Sequence, residues 1–413
     1  MKRLLEQIGL TLLVVLAIVF YFGKTATYII VTISACLLIA FIVIKKFRKT
    51  VYLPVMAAVS LIACIINLVY TANVYDKVIE NYDGFEGNVV AQLKEEPYKS
   101  YGGYVYEFNA GRADNQECDF DFIAYYADLI DIEVRDQLVI NMSFHKTDSY
   151  DLKSKGYFLV GDFGYNMTDY AVVKSDGSSL YYKVVNIRKN IRESINSVVH
   201  QPASQLCNAL LLGDKSSLPS EIRDDFLKSG TLHLVVVSGL HFSVLVSIFF
   251  AFALRFKKLK CYFLIPGFVF MIFYMLLTGA SGSVVRSAVM MFVCGLGIAF
   301  SRSIYSPNSI GLAAIVVLVV FGPYSAGDIG VILSFASTYS ILRFTPDFYE
   351  KAEKYLVYKP KSTYKGFKRF VVNKAVQLNK FFVMMLCVNI SAYLISVPLS
   401  VIFFDGVSVV SVF

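Results

Sequence analysis

Residues 213–241 read GDKSSLPSEIRDDFLKSGTLHLVVVSGLH. A polar, helix-forming stretch ends at Gly230 and runs directly into an apolar segment that holds His233 and His241, two of the chain's four histidines. A soluble core has no use for this order, and a lipid-facing anchor would exclude both histidines. Hydrocarbon offers polar groups no partner, so those kept at membrane depth line a pathway or a site.

Composition agrees. Of 413 residues, 56% are hydrophobic and only 17% charged, with mean hydropathy +0.58. Ordinary soluble domains carry about one quarter charged residues. The expected class is a polytopic α-helical membrane protein with one polar interruption. Trp is absent, so Tyr and Phe must form any interfacial belt. The seven cysteines show no CxxC spacing, and the long polar segment has only Cys118, so it cannot close a disulfide of its own.

Outward from the opening stretch, the N-terminal side begins with apolar runs at 7–22, 27–45 and 52–72, each able to span a core about 30 Å thick. Lys2 and Arg3 make the first resemble a signal peptide, but no small-residue cleavage site follows, so residues 1–72 read as three retained helices. Residues 73–186 differ in kind. Net charge is −11 over 73–180 and +19 in the rest of the chain. YVYEFNA (104–110), DFIAYYADL (121–129) and VRDQLVINMSF (134–144) alternate with period two, with turn residues such as Gly102-Gly103 between runs. A small β-barrel of about five strands is predicted. Residues 187–230 hold an amphipathic helix, with Ile187, Ile191, Ile195 and Val198 on one face, followed by the polar loop-helix.

On the C-terminal side, residues 231–413 read as spans near 231–254, 261–278, 284–300, 308–322, 329–344 and 381–404. A last apolar run after Asp405 stops at Phe413, too short for a span, and reads as incomplete. Basic residues fall in alternate loops: Lys45 to Lys49, Arg255 to Lys260, Arg302, and 351–380 with nine basic residues and one acid. Loops 279–283 and 323–328 contain no Lys or Arg. The positive-inside rule then puts the N-terminus in the cytoplasm and the acidic barrel outside.

Three blocks resemble the ComEC competence-protein family: residues 209–241, TGASGSVVRSAVM at 278–290 and GPYSAGDIGVILSFASTYSIL at 322–342. A weaker likeness lies at 390–413, and GNVVAQLKEEPYKSYGGYVYEF at 87–108 resembles the start of that family's OB-like domain. The first block departs locally, with Pro219-Ser220 where relatives tend to have an acidic residue and then Pro. The resemblance implies an inner-membrane channel that imports single-stranded DNA during natural transformation. It also implies membrane lipids, an external DNA receptor and a cytosolic motor ATPase as partners, with self-association left open. Many relatives continue into a metallo-β-lactamase-like domain. Its HxHxDH pattern does not occur here, so the likeness carries no nuclease role and no enzyme activity or cofactor is expected.

Candidate path residues are His233, Ser238, His241, Arg286, Asp328 and Ser334, with Gly213, Asp214, Gly230 and Gly239 shaping the signature loop. At about 100° per residue, His233, Ser238 and His241 share one broad helix face. Such a face lines a DNA path or simply bonds neighbouring helices. Two histidines and a distant Asp214 do not make a zinc site. Arg286 is the best candidate for a phosphate contact, since Arg binds phosphate bidentately and a helix begins there. The competing reading is a salt bridge to Asp328, and Asp214, at the start of a loop-to-helix turn, reads first as a helix cap. Lys359, Lys361, Lys365, Lys368 and Arg369, interleaved with aromatics, could receive single-stranded DNA, hold anionic lipid, or only fix topology. The barrel carries aromatics that could stack bases (Tyr101, Tyr104, Tyr106, Tyr125, Tyr126) but the wrong net charge. Alternative readings of the whole are an intramembrane serine hydrolase using Ser238 and His241, or a non-catalytic envelope scaffold. The hydrolase is disfavoured because i,i+3 spacing on one helix rarely gives attack geometry.

Overall fold

A computed structural model describes residues 4–43, 52–100, 103–114, 116–130, 132, 134, 136–163, 171–173, 180–214, 222, 225–226, 239–301, 306–356 and 366–404. The chain is a helical membrane protein with a small barrel inserted after its first two long helices.

The barrel uses β1 (Glu86–Leu93), β2 (Tyr98–Ser100), β3 (Gly103–Ala113), β4 (Gln116–Tyr126), β5 (Gln137–Lys146), β6 (Leu159–Phe163) and β7 (Ala171–Val173). Five of them close on themselves in the order β1-β3-β4-β6-β5, with β1 pairing back to β5. All these pairings are antiparallel except β4 with β6. This is an OB-like barrel, and closure removes the sheet edges that would otherwise invite aggregation. The period-two runs supply its core. Val89, Ala91 and Leu93 face Tyr106, Phe108, Ala110, Phe122, Met142 and Phe144 inside. Bulges between Val90 and Ala91 and between Ala110 and Arg112 bend the strands into closure.

Tyr106 corrects one expectation. It is fully buried, not a stacking surface, because its hydroxyl donates to Asp128 O (3.0 Å) and accepts from Ile130 N (2.7 Å). A tyrosine whose hydroxyl is bonded can occupy a core. Tyr125 is half-exposed, and Tyr126 packs edge-on against Phe163. Tyr101 lies outside the described residues.

The helices are α1 (Leu4–Val43), α2 (Tyr52–Tyr70), α3 (Asp76–Tyr82), α4 (Tyr150–Ser154), α5 (Leu180–Val198), α6 (Ala203–Leu212), α7 (Gly239–Arg255), α8 (Lys260–Leu277), α9 (Gly282–Phe300), α10 (Ser306–Phe321), α11 (Ile329–Leu356) and α12 (Gly366–Phe404). Among the described residues, five stretches are long and apolar enough to cross a membrane: 4–41, 52–82, 260–277, 282–300 and 370–403. The apolar runs expected at 7–22 and 27–45 lie in α1, whose 40 residues are broken at Gly23 (φ 61, ψ −145). At 1.5 Å per residue each half is long enough to cross by itself. A π-turn at Thr71–Tyr75 joins α2 to α3, so one nearly continuous helix leads from the bundle into the barrel. The last span begins earlier than expected, since α12 continues back from the apolar run to Gly366.

Small residues let the helices approach closely, as bundles in lipid require. A Cβ on Gly9 would lie 2.1 Å from Gly311 O, and one on Gly311 would lie 2.1 Å from Leu5 O. The barrel sits at the end of the bundle that also presents the turn before α9 and the 323–327 turn. Tyr324 gathers Phe20, Tyr70, Tyr75 and the barrel-side Phe158 around it, with ring centroids 5.0–5.9 Å apart. The basic residues between α7 and α8 lie at the opposite end. There Lys260 Nζ donates to Ala299 O (2.5 Å) and Ser301 Oγ (3.0 Å), a cation at a helix C-terminus.

Candidate functional site

Arg286 stands in the second turn of α9. Its Nε donates to Ser334 Oγ at 3.0 Å and one terminal nitrogen to Thr338 Oγ1 at 2.5 Å, both on α11. The same nitrogen approaches Met290 Sδ at 3.8 Å, and the guanidinium carbon lies 5.8 Å from the centre of the Phe335 ring. Ser334 and Thr338 share a helix face because they are four residues apart. Among the described residues, no carboxylate forms an ion pair with Arg286. Among the described residues the guanidinium is therefore held by neutral hydroxyls, with no carboxylate to compensate its charge.

Asp328 does something else. Its Oδ1 accepts from Val331 N at 2.9 Å, capping α11. The salt bridge expected as one reading of the sequence does not form, because Asp328 sits before α11 while Ser334 lies nearly two turns further along.

Gly239 brings α7 against this site. A Cβ there would fall 2.2 Å from Ser287 Oγ and 3.1 Å from an Arg286 terminal nitrogen. Only glycine allows α7 to pass so near. His241 follows in the same turn, half-buried and engaged with a neighbour. Phe242 beside it is buried and stacks on Tyr274 at 5.9 Å. Gly239, Arg286 and Ser334 thus converge. His233, Ser238 and Gly230 lie outside the described residues.

Gly213 and Asp214 belong to a separate cluster. Gly213 (φ 75) closes α6 in the left-handed conformation that favours glycine. Asp214, which follows it, is buried, and its Oδ2 lies 3.4 Å from Arg192 Nε on α5. Arg192 also pairs with Glu96 in the β1–β2 loop of the barrel. Lys359, Lys361 and Lys365 lie outside the described residues. Lys368 and Arg369 fall in the first turn of α12, at the bundle end away from the barrel. Among the described residues no group of three or more His, Cys, Asp or Glu could hold a metal ion.

Sequence reading missed Thr338, Phe335 and the Arg192–Glu96 pair. The i,i+4 spacing of Ser334 and Thr338 in an apolar helix was a usable signal. Glu96 and Arg192 are 96 positions apart, and nothing local links them.

Fold and site together define a polytopic helical membrane protein with an OB-like barrel on one end and a guanidinium held by hydroxyls among its helices. Residues 210–413 match the family described as Competence protein. The chain is 32% identical over 168 residues to ComE operon protein 3 of Bacillus subtilis (strain 168), a stretch that is 41% of this chain and 22% of that relative. Its second half is thus similar to the Competence protein family, and the chain to that relative. The matched stretch is about a fifth of the relative's own length. No solved structure matches the chain.

Proposed function

We propose that this chain forms the helical channel through which single-stranded DNA crosses the inner membrane during natural transformation. The observation that carries the reading is Arg286, a cation at membrane depth whose partners are hydroxyls. An unpaired charge inside a bilayer costs about 2.5–3.5 kcal/mol on insertion scales, so its presence asks for a function. A phosphodiester leaving water needs a fixed cation in the low-dielectric path. A guanidinium already neutralised by a carboxylate could not serve, whereas Arg286 can turn its fork toward a phosphate.

In this reading the barrel faces the cell exterior and the N-terminus the cytoplasm. Supporting this orientation, the barrel is at the opposite end of the bundle from Arg255, Lys257, Lys258 and Lys260. Helix α5 then lies along the outer lipid interface, where Ile187, Ile191, Ile195 and Val198 line a shallow apolar groove. The basic stretch with Lys359, Lys361, Lys365, Lys368 and Arg369 faces the cytosol, where a motor ATPase would draw on the emerging strand. An external receptor delivers DNA to the barrel end. The chain itself acts without catalysis.

The experiment is deletion of this gene in a transformable host, followed by separate measurement of surface-bound and nuclease-resistant labelled DNA. Bound DNA should persist while the internalised fraction disappears. Normal internalisation in the deletion strain would overturn the proposal.

A further inference from the structure

The barrel meets the bundle at two places of different character. One is the aromatic group around Tyr324. The other is charged. The β1–β2 loop presents Glu95 and Glu96 toward Arg188 and Arg192 of α5, and Arg192 also reaches Asp214 of the signature loop.

We propose that Arg188 and Arg192 form a phosphodiester-binding station at the mouth of the bundle, masked by Glu95 and Glu96 until an incoming strand displaces them. The proposal rests on the DNA-uptake reading above and adds a site to it.

Four observations carry it. First, the two guanidinium groups are incompletely satisfied. Among the described residues, the Nε atoms of both Arg188 and Arg192 are buried and find no hydrogen-bond partner, so each fork has an unused donor. Arg192 Nε faces Asp214 at 3.4 Å, as an ion pair without hydrogen-bond geometry. A phosphodiester carries the same single negative charge as a carboxylate, with two free oxygens that suit such a fork. Second, the station overlies the route to Arg286. A Cβ placed on Gly279, in the turn just before α9, would lie 3.6 Å from Glu95 Oε1 and 4.0 Å from an Arg188 terminal nitrogen. Third, the mask is held against burial first and like charge second. Burial, and then the neighbouring Glu107, push the Glu95 carboxyl above its usual range, while Arg188 pulls the other way. Its departure therefore relieves a cost that the pairing only partly offsets.

Fourth, the barrel face that OB domains commonly use for single strands is closed. The outward side of β3 and β4 carries Glu107, Asp119 and Asp121. Tyr157 packs over Val105 and Ile123 there, and its hydroxyl donates to Glu107 Oε2 at 2.5 Å. Lys94 on that face is already bound to Asp121 at 2.6 Å. A strand repelled from this face meets cations at the barrel–bundle junction instead.

The test uses the purified full chain in nanodiscs and a fluorescein-labelled oligodeoxythymidine, titrated over a range of salt. The unmasked variant Glu95→Gln/Glu96→Gln should bind about tenfold more tightly than the parent, as one additional charge-assisted hydrogen bond would give. Arg188→Gln/Arg192→Gln should bind more weakly, with the slope of log K against log salt falling by about 1.4, since each single-strand phosphate contact contributes about 0.7. Arg188→Lys/Arg192→Lys should recover most of that slope. A swap of Glu96→Arg with Arg192→Glu restores an ion pair but should leave binding weak. If the swap restores binding, or the unmasked variant binds like the parent, the pair is only a structural tie and the proposal fails. If binding depends on Arg286 but not on Arg188 or Arg192, the station falls and the channel reading stands. If neither parent nor unmasked variant binds, both fall.

Discussion

Replacing Arg286 by alanine separates a functional cation from a structural ion pair. The partners lost are Ser334 Oγ and Thr338 Oγ1. The Thr338 hydroxyl keeps its own bond to Ser334 O at 2.9 Å, and among the described residues no carboxylate loses a partner. Each bond lost from the charged guanidinium costs about 1.5–3 kcal/mol, and relief from placing a charge in the membrane returns about 2.5–3.5 kcal/mol. The two effects largely offset, so the variant should still accumulate in the membrane. Had Arg286 been paired with a buried Asp328, the orphaned carboxylate would cost about 3–5 kcal/mol and the protein would be lost. The functional effect runs the other way. A charged hydrogen bond to phosphate is worth about 1.5–3 kcal/mol, so internalisation should fall roughly ten- to hundredfold. Arg286→Lys should lie between, since charge remains but the fork does not. The assay pairs an immunoblot of membrane fractions with counts of nuclease-resistant labelled DNA. A stable Arg286→Ala protein with parental uptake contradicts the assignment. So does a degraded one restored by adding Asp328→Ala.

Three further outcomes follow from the packing. Gly311→Ala places a methyl 2.1 Å from the Leu5 carbonyl oxygen and should destabilise by about 1–3 kcal/mol, read as a lower Tm in detergent, whereas Gly111→Ala, whose nearest neighbour is 3.8 Å away, should change little. Tyr324→Ala removes a ring held by Phe20, Tyr70, Tyr75 and Phe158 and should open the barrel–bundle junction to protease. Tyr324→Phe, which loses only the 2.9 Å contact with Thr71 Oγ1, should stay resistant. Glu117→Cys, on the exposed surface of the barrel and in a background with the seven native cysteines replaced by serine, should react with an impermeant maleimide in wall-stripped intact cells; reaction only after lysis reverses the topology.

The barrel was legible because a half-buried strand writes its inner face into every second residue, as at Val89, Ala91 and Leu93. Tyr106 escaped because the pattern marks a tyrosine's face but not whether its hydroxyl finds Asp128 O and Ile130 N. Arg286 stood out as a lone cation in an apolar run. Its partners did not, since Ser334 and Thr338 are placed by helix packing across 48 and 52 positions. The same limit hid Arg192 and Glu96. The break at Gly23 was legible as the gap between the apolar runs at 7–22 and 27–45, although the positive φ that makes it was not.

The decisive measurement is photocrosslinking during uptake. A photoreactive amino acid at Thr338, beside Arg286, and at Val319, 78% exposed on the outer surface of α10, would be compared in competent cells taking up labelled DNA. A channel through the bundle predicts DNA adducts at position 338 that depend on active uptake, and none at 319. Adducts at 319 alone, or none at 338 while uptake proceeds normally, would contradict it.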